Sequence, residues 1–355
     1  MYANNSLLSK LPSPQSAIWL LLDSRYFGGI ESHVLQLASA LTGQGFKVQV
    51  IFIADYGEHA LKSRLAQANI PFTCLTRGWR SLLYLAIRER PLLLHTHGYK
   101  AGLLGRFTAL LSRLPVVSSF HAGEKLTGKL AFYHFIDRKS SVLCQSLIAV
   151  SEPIKATLPA KARVLNNFVT VSEQRENTGK QLAFVGRLSH EKGPDSFIRL
   201  ARFYRGFKFH IYGSGPMESQ LKALATDNVI FHGAKESMAG IWPKIRLLIM
   251  PSRFEGLPMS ALEAMSNSIP VLAYRVGSLD KLITNDNGYL IPPEHFTGLS
   301  NALFSYLSCD SLTRSQLCQQ ARNTVLEKFS TRAVLPQLLD IYHESIEAKY
   351  LCKLR

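Results

Sequence analysis

The sequence predicts an α/β protein of two doubly wound domains that face one another across a cleft. Three observations carry this. Short apolar runs, among them Ala17 to Leu22, Val48 to Ala54, Gln181 to Val185 and Leu247 to Met250, alternate with stretches at helical spacing. That is the pattern of parallel βαβ units whose strands are buried on both faces. Most of these runs stop at turns rich in Gly, His or charged residues, and in open α/β sheets ligands sit outside the carboxyl ends of strands. The alternation pauses once, at the polar, glycine-containing stretch Val171 to Lys180, and then restarts. A length of 355 residues suits two domains.

The elements follow in order. Residues 1–16 read as a polar lead-in broken by Pro12 and Pro14. The strand Ala17 to Leu22 ends at Asp23 and a turn holding Gly28, Gly29 and Glu31. A helix follows, with Val34, Leu35, Ala38 and Leu41 on one side, and then the strand Val48 to Ala54. This is a βαβ unit without the dinucleotide spacing G-x-G-x-x-G. Glu58 to Asn69 reads as a helix and Pro71 to Leu75 as a short strand. Arg77 to Arg90 is basic, aromatic and amphipathic, and suits either a helix packed on the sheet or one lying on an anionic membrane. A strand from Leu92 ends in His95-Thr96-His97-Gly98-Tyr99-Lys100, with a helix to about Arg113. Val116 to Ser119 leads to Phe120 and His121. Lys125 to Arg138 mixes aromatic and basic residues, which suits core packing and acceptor contact equally. Leu147 to Val150, a short helix from Pro153 to Leu158 and the strand Arg163 to Leu165 complete the first half.

The second half repeats the alternation. Gln181 to Val185 ends in a loop holding Gly186, Arg187, Lys192 and Gly193. The helix Pro194 to Tyr204 and the strand Phe209 to Tyr212 follow, the latter ending in Gly213-Ser214-Gly215-Pro216. Met217 to Ala225 reads as a helix, Val229 to Phe231 as a strand and Met238 to Ile245 as a short helix. Leu247 to Met250 is a buried strand stopped by Pro251 and Ser252. Glu255 and Gly256 lie in the turn after it, and a helix from about Met259 carries Glu263. Val271 to Tyr274, the Gly277-Ser278 turn, Gly288 to Ile291 and a run of helices close the chain.

Composition narrows the function. Hydrophobic residues at 46% and charged residues at 19% support sizeable cores and argue against global disorder. No apolar stretch reaches the roughly 20 residues of a membrane span, and the N-terminus has no secretory pattern. The five cysteines, Cys74, Cys144, Cys309, Cys318 and Cys352, are scattered and read as reduced thiols of a cytoplasmic protein. A net charge of +16 fits a nucleic-acid binder, a protein on anionic membrane, or an enzyme of phosphorylated ligands. The cations are spread along the chain, which weakens the first.

The chemistry concentrates in the second half. Arg187 and Lys192 flank one strand-end loop beside a helix start, a natural clamp for a diphosphate. Gly186, Gly193, Gly213 and Gly215 let backbone come near it. Glu255 and Glu263 offer carboxylates to sugar or ribose hydroxyls. Together these describe a nucleotide-sugar pocket. No Asp-x-Asp pair exists in the chain, so a metal-bridged diphosphate is not indicated and the cations must neutralise the leaving group. His95, His97 and His121 near strand ends invite a zinc reading, but they lack i, i+4 spacing and a nearby Cys or carboxylate. A histidine hydrogen-bonding a substrate hydroxyl is the preferred reading, and no metal is expected.

With these residues assembled, the chain resembles a retaining glycosyltransferase of family 4 (glycosyl transferases group 1) with the GT-B fold. The resemblance rests on Gly28-Gly29-x-Glu31, His121, the Gly186-Arg187-Leu188 and Glu191-Lys192-Gly193 motif, Gly213-x-Gly215-Pro216, and the Glu255 to Glu263 spacing within Pro-Ser-x-x-Glu-Gly. It implies two Rossmann-like domains. The acceptor-side one is 1–172, completed by a last helix of about 332–355, and the nucleotide-sugar-binding one is 173–331. It implies that Arg187 and Lys192 bind the donor diphosphate and that Glu255 contacts the donor sugar. Glu263 would hold the ribose, with Gly256, Leu257 and Pro258 lining the pocket. Gly28 and Gly29 would let their loop reach the diphosphate. His121 would stand near the transferred sugar, with Glu31, His97, Tyr99 and Lys100 on the acceptor side. The chain departs from the pattern at Ser266-Asn267-Ser268, where Asn267 is expected to supply the left-handed turn residue in place of glycine, and at Gly277-Ser278, where a glycine pair is more usual.

The expected activity is metal-independent, anomer-retaining transfer of a sugar from a UDP- or GDP-sugar to a glycan or glycolipid. The expected setting is cell-surface polysaccharide or lipopolysaccharide biosynthesis, in the cytoplasm or peripherally on the inner face of the plasma membrane. A GT-B epimerase or phosphorylase is the alternative from another enzyme class. A basic nucleic-acid-binding protein is the third reading, and it has no use for Glu255 and Glu263.

Overall fold

A computed structural model describes residues 16–76, 78–121, 128–172 and 177–351. Most of the polar lead-in, Arg77, Cys352, the middle of the 171–180 linker and the start of the Lys125 to Arg138 segment lie outside the described residues. The chain divides into two compact units, Met1–Asn166 with Val334–Arg355, and Asn167–Ala333.

The first unit is one parallel sheet in the order β3-β2-β1-β4-β5-β6-β7. Its strands are β1 (Ile18–Leu22), β2 (Val48–Phe52), β3 (Phe72–Cys74), β4 (Leu93–His97), β5 (Val116–Phe120), β6 (Ser146–Ala149) and β7 (Arg163–Val164). The helices that link them are α1 (Gly29–Gly43), α2 (Ala60–Gln67), α3 (Trp79–Glu89), α4 (Tyr99–Ser112), α5 (Gly128–Ser140) and α6 (Glu152–Lys155). Every residue of β1, β4 and β5 is buried, as expected of strands covered on both faces.

The second unit repeats the plan with a sheet in the order β10-β9-β8-β11-β12-β13. Its strands are β8 (Gln181–Val185), β9 (Phe209–Tyr212), β10 (Val229–Phe231), β11 (Ile245–Met250), β12 (Val271–Tyr274) and β13 (Gly288–Ile291). The helices are α7 (Pro194–Phe203), α8 (Glu218–Leu224), α9 (Met259–Ser266), α10 (Leu279–Leu282), α11 (Phe296–Ser308) and α12 (Ser311–Lys328). One core cluster gathers Met265, Leu248 and Phe329, and another gathers Phe197, Phe209 and Tyr306. Each sheet starts at an interior strand, β1 or β8, runs outward, and returns to start again on its other side. In open α/β sheets ligands bind at such a reversal, outside the carboxyl ends of the strands. The last helix, α13 (Thr331–Leu351), belongs to the first unit from Val334 onward. There Tyr342 Oη meets His95 Nδ1 at 2.6 Å and Ser345 Oγ donates to Ser146 Oγ at 2.8 Å.

Two local expectations need correction. Met238 to Ile245 is not a helix. Turns lead to a short 3-10 turn at Trp242–Lys244, and β11 starts at Ile245. Gly240 and Pro243 weaken any longer helix there, and the buried Trp242 pins the turn. The left-handed residue after α9 is Ser268, at φ 59°, not Asn267. Asn267 stays at φ −95° and its Nδ2 instead caps the helix by donating to the Glu263 carbonyl at 2.8 Å. The passage between units falls at Asn166 and Asn167, ahead of the polar linker. Residues just after it are held by the second unit, where Val169 N–H donates to the Phe329 carbonyl at 3.0 Å.

Candidate donor pocket and histidine cluster

In the second unit, β8 and β11 are neighbours at the reversal of strand order. Their carboxyl-end loops therefore lie side by side, and main-chain bonds join them. The N–H groups of Arg253 and Phe254 donate to the Glu191 carbonyl at 2.8 and 3.2 Å. The Arg253 guanidinium reaches the His190 carbonyl at 2.8 Å and grips Asp195 with two bonds of 2.9 and 2.6 Å. Gly193 turns the β8 loop into α7 at φ +65°, with the position of a Cβ only 1.9 Å from the Pro251 carbonyl oxygen. No other residue type brings the two loops this close without strain.

This arrangement sets Lys192 Nζ 2.7 Å from Glu255 Oε2. The Glu255 side chain is only 3% exposed, against 29% for Lys192. Its other oxygen, Oε1, is buried without a hydrogen-bond partner. Leaving a buried carboxylate oxygen unpaired costs free energy, so such an atom is expected where a ligand hydroxyl donates. Arg187 stands exposed on the same loop. The Gly213 to Pro216 loop lies against it through Leu188 N–H to the Ser214 carbonyl at 2.9 Å and Met217 N–H to the Leu188 carbonyl at 3.0 Å. Gly186 N–H donates to the Tyr212 carbonyl at 3.0 Å. Gly256 accepts from Ser278 N–H at 2.8 Å, and a Cβ on Gly277 would stand 2.3 Å from the Glu255 carbonyl oxygen. Ser278 thus fits where a second glycine is usual, and Gly277 alone meets the close approach. The Leu257 carbonyl accepts from Asn167 Nδ2 at 2.7 Å, and Pro258 caps α9. Glu263 is half-buried at the start of the second turn of α9.

The second unit thus gathers Gly186, Arg187, Lys192, Gly193, Gly213, Gly215, Glu255, Gly256, Leu257, Pro258 and Glu263 on the loops after three strands, β8, β9 and β11, and in the opening turns of α9. Such a set can neutralise a polyanion and accept hydroxyl protons. Sequence reasoning missed the Arg253–Asp195 brace. Asp195 lies in the first turn of α7, far from Arg253 in the chain, and nothing in the spacing links them. Burial pushes the Asp195 carboxyl up, but Arg253 outweighs it and holds the group below its ordinary range.

In the first unit the corresponding reversal lies between β1 and β4. His97 ends β4, His121 follows β5, and His33 projects from α1. His97 Nδ1 and His121 Nε2 are 3.1 Å apart, and the His33 ring is 4.9 Å from that of His121. His95 packs on His97 at 4.2 Å and is oriented by Ser119 Oγ at 2.8 Å as well as by Tyr342. His33 is a second residue that sequence reasoning missed, although it stands only two positions past Glu31. Side-chain nitrogens of His33, His97 and His121 lie within 4.8 Å of one another, a spacing that a transition metal can bridge. No Cys or carboxylate joins the group among the described residues. His97 Nε2 is buried without a hydrogen-bond partner.

Glu31 caps its own turn, its Oε2 accepting from Gly28 N–H at 2.8 Å. Burial pushes its carboxyl up, against the pull of Ser24 and the Gly28 amide. Gly29 faces open space. Lys100 pairs with Asp23 at 2.8 Å, which ties the β4 loop to the β1 loop. Tyr99 stacks on Tyr133 at 6.0 Å.

Burial holds all four histidines neutral, taking His95 to about 3 and His121 to about 4, with His33 and His97 well below their ordinary value. Repulsion among them adds to the effect on His33, His95 and His97. The unfolded chain therefore takes up protons below about pH 6.5 that the native state refuses. Stability should fall as pH drops from about 6.5 toward 4, by up to about 1.4 kcal/mol per pH unit for each histidine. Urea melts across that range check this. A His95→Gln variant should show a shallower slope.

A family model described as Glycosyltransferase Family 4 matches residues 27–172, and one described as Glycosyl transferases group 1 matches residues 179–308. The UDP-Gal:alpha-D-GlcNAc-diphosphoundecaprenol alpha-1,3-galactosyltransferase of Escherichia coli is 22% identical over 90% of this chain and 95% of that enzyme. The poly(ribitol-phosphate) alpha-N-acetylglucosaminyltransferase of Staphylococcus aureus is 26% identical over 50% of this chain, a match that spans 39% of that enzyme's own length. Among solved structures, Anabaena HepE in complex with UDP-glucose aligns with a TM-score of 0.79 at 18% identity, over 91% of this chain and 98% of that one.

Proposed function

Because the chain belongs to the family 4, group 1 glycosyltransferases and has the GT-B fold, we propose that it moves a hexose from a UDP- or GDP-sugar to a glycan or glycolipid, with retention and without a metal. The proposed setting is cell-surface polysaccharide or lipopolysaccharide biosynthesis, in the cytoplasm and peripherally at the membrane. The observation that carries the donor assignment is the Lys192–Glu255 pair with its unpartnered Glu255 Oε1. In the proposed reaction Lys192 moves from Glu255 to the donor diphosphate, which Arg187 also faces. Glu255 then accepts from sugar hydroxyls and Glu263 from the ribose. Gly29, with open space at its Cβ position, lets its turn approach the phosphates, while the Gly28 N–H stays on Glu31. The bond from the anomeric carbon to the phosphate oxygen breaks toward an oxocarbenium-like state. The departing charge is held by the two cations. The acceptor hydroxyl bonds to the same face and passes its proton to a leaving phosphate oxygen. His121 and His97, both neutral, hydrogen-bond hydroxyls on the acceptor side, with Tyr99 and Lys100 flanking them and Glu31 fixing the turn beside them. Relatives whose names include UDP-Gal or UDP-glucose support the nucleotide-sugar class.

The test is a screen of UDP-, GDP- and ADP-hexoses with lipid-linked and soluble glycan acceptors, in EDTA, with NMR of the product. The expected result is one donor class transferred with retained configuration. An inverted product overturns the same-face mechanism. A changed sugar nucleotide formed without acceptor supports the epimerase instead.

A further inference from the structure

We propose that the outer face of α3, α4 and α5 docks the first unit on an anionic lipid bilayer. The three helices lie side by side on one face of the sheet, and the Trp79 and Phe107 rings meet edge-on at 6.0 Å. Helix α4 is turned inside out for a water-facing helix. Its two cations point away from solvent or are paired. Arg106 is buried against Asp137 and donates to Ser118 Oγ at 3.1 Å, and Lys100 pairs with Asp23. Phe107, Leu110 and Leu111, at i, i+3 and i+4, are instead 47%, 50% and 51% exposed. Tyr84 and Ile87 extend this surface on α3, whose inner side is held by Leu82 and Ala86. A contiguous apolar surface of this kind marks an interaction site.

Its rim is cationic. The exposed ionisable groups of α3 and the residue after it are Arg80, Arg88, Arg90 and one carboxylate, Glu89, which Arg88 neutralises at 2.7 Å. Arg113 stands at the end of α4 and Lys139 near the end of α5, where it covers the Phe135 ring. Apolar side chains ringed by Arg and Lys match the interfacial zone of an anionic membrane, where chains enter the acyl boundary and cations meet headgroups. A second copy fits worse, because a two-fold interface would bring one positive rim onto another. No helix among the described residues is long and apolar enough to cross a membrane, so this face would hold the protein at the surface.

The inference rests on the proposed function only for the reason to be there, a lipid-borne acceptor. The test is therefore free of sugar nucleotides: cosedimentation of the full chain with vesicles of phosphatidylcholine alone or mixed with phosphatidylglycerol. Binding is expected only with phosphatidylglycerol and should weaken as salt rises. The combined variant Phe107→Ser, Leu110→Ser, Leu111→Ser should lose about tenfold or more in vesicle affinity, and Arg80→Glu with Arg88→Glu similarly. Both should keep the wild-type melting temperature and the rate on a soluble acceptor. Equal binding to both vesicle types, no binding, or unchanged binding in both variants overturns the proposal. So does a dimer that the serine variant dissociates. Loss of activity on every donor with vesicle binding intact would sink the enzymatic reading alone.

Discussion

Glu255→Gln should lower kcat/KM by about 10²–10³-fold while leaving the stability close to that of wild type. The carboxylate is buried, one of its oxygens has no partner, and one lysine compensates its charge. Neutralising it removes a desolvated charge, so the fold gains or loses little, yet the hydroxyl acceptor is weakened and Lys192 loses its anchor. Lys192→Ala should cost at least as much activity, and there the melting temperature should fall too, because Glu255 is then left buried and uncompensated. The double variant Lys192→Met, Glu255→Gln should recover the stability but none of the activity. Steady-state kinetics with the preferred donor, beside thermal melts of the three variants, separate these effects. Wild-type turnover in Glu255→Gln would remove this residue from the site.

Gly193→Ala should be among the most destabilising of the single methyls added to these loops, together with Gly213→Ala, whose Cβ would also stand 1.9 Å from a carbonyl oxygen. Gly193 sits at φ +65°, and the new Cβ would stand 1.9 Å from the Pro251 carbonyl oxygen, a main-chain atom that cannot swing aside. Left-handed strain alone costs about 1 kcal/mol. With a main-chain clash added, the expected loss is about 3 kcal/mol or more. Relief of the clash would part the β8 and β11 loops, so Lys192 and Glu255 should separate and donor affinity should fall with stability. Gly29→Ala is the matched control. Nothing lies within 4 Å of its Cβ position, and its melting temperature should stay near wild type. Urea denaturation of both variants is the measurement.

How much of this was legible follows from where the information sits in the chain. The strands and their order of use were readable because parallel strands covered on both faces are apolar throughout, as Leu247 to Met250 is. The candidate donor loops stand out in the sequence because two cations, spaced carboxylates and glycines gather at strand ends, and the fold brings the β8 and β11 loops together. What stayed hidden depends on pairing across the fold. Nothing in the spacing of the chain joins His33 to His97, whose rings the fold brings to 5.5 Å. Asp195 and Arg253 are 58 positions apart and no motif links them. The left-handed turn fell to Ser268 because Asn267 had a better use for its side-chain amide, capping α9. Composition offered +16 as a global number, while the inward turn of Arg106 and the outward turn of Leu110 and Leu111 needed the packed helices to appear.

We propose that the β8 loop holds the diphosphate of a nucleotide sugar through Arg187 and Lys192. Calorimetric titration of the wild type and of Arg187→Ala and Lys192→Ala with UDP- and GDP-hexoses, in EDTA, tests it most directly. Saturable binding of one nucleotide class by the wild type is expected, with a loss of about tenfold or more in each variant. Wild-type affinity in both variants, or no binding of any nucleotide sugar by the wild type, would contradict it.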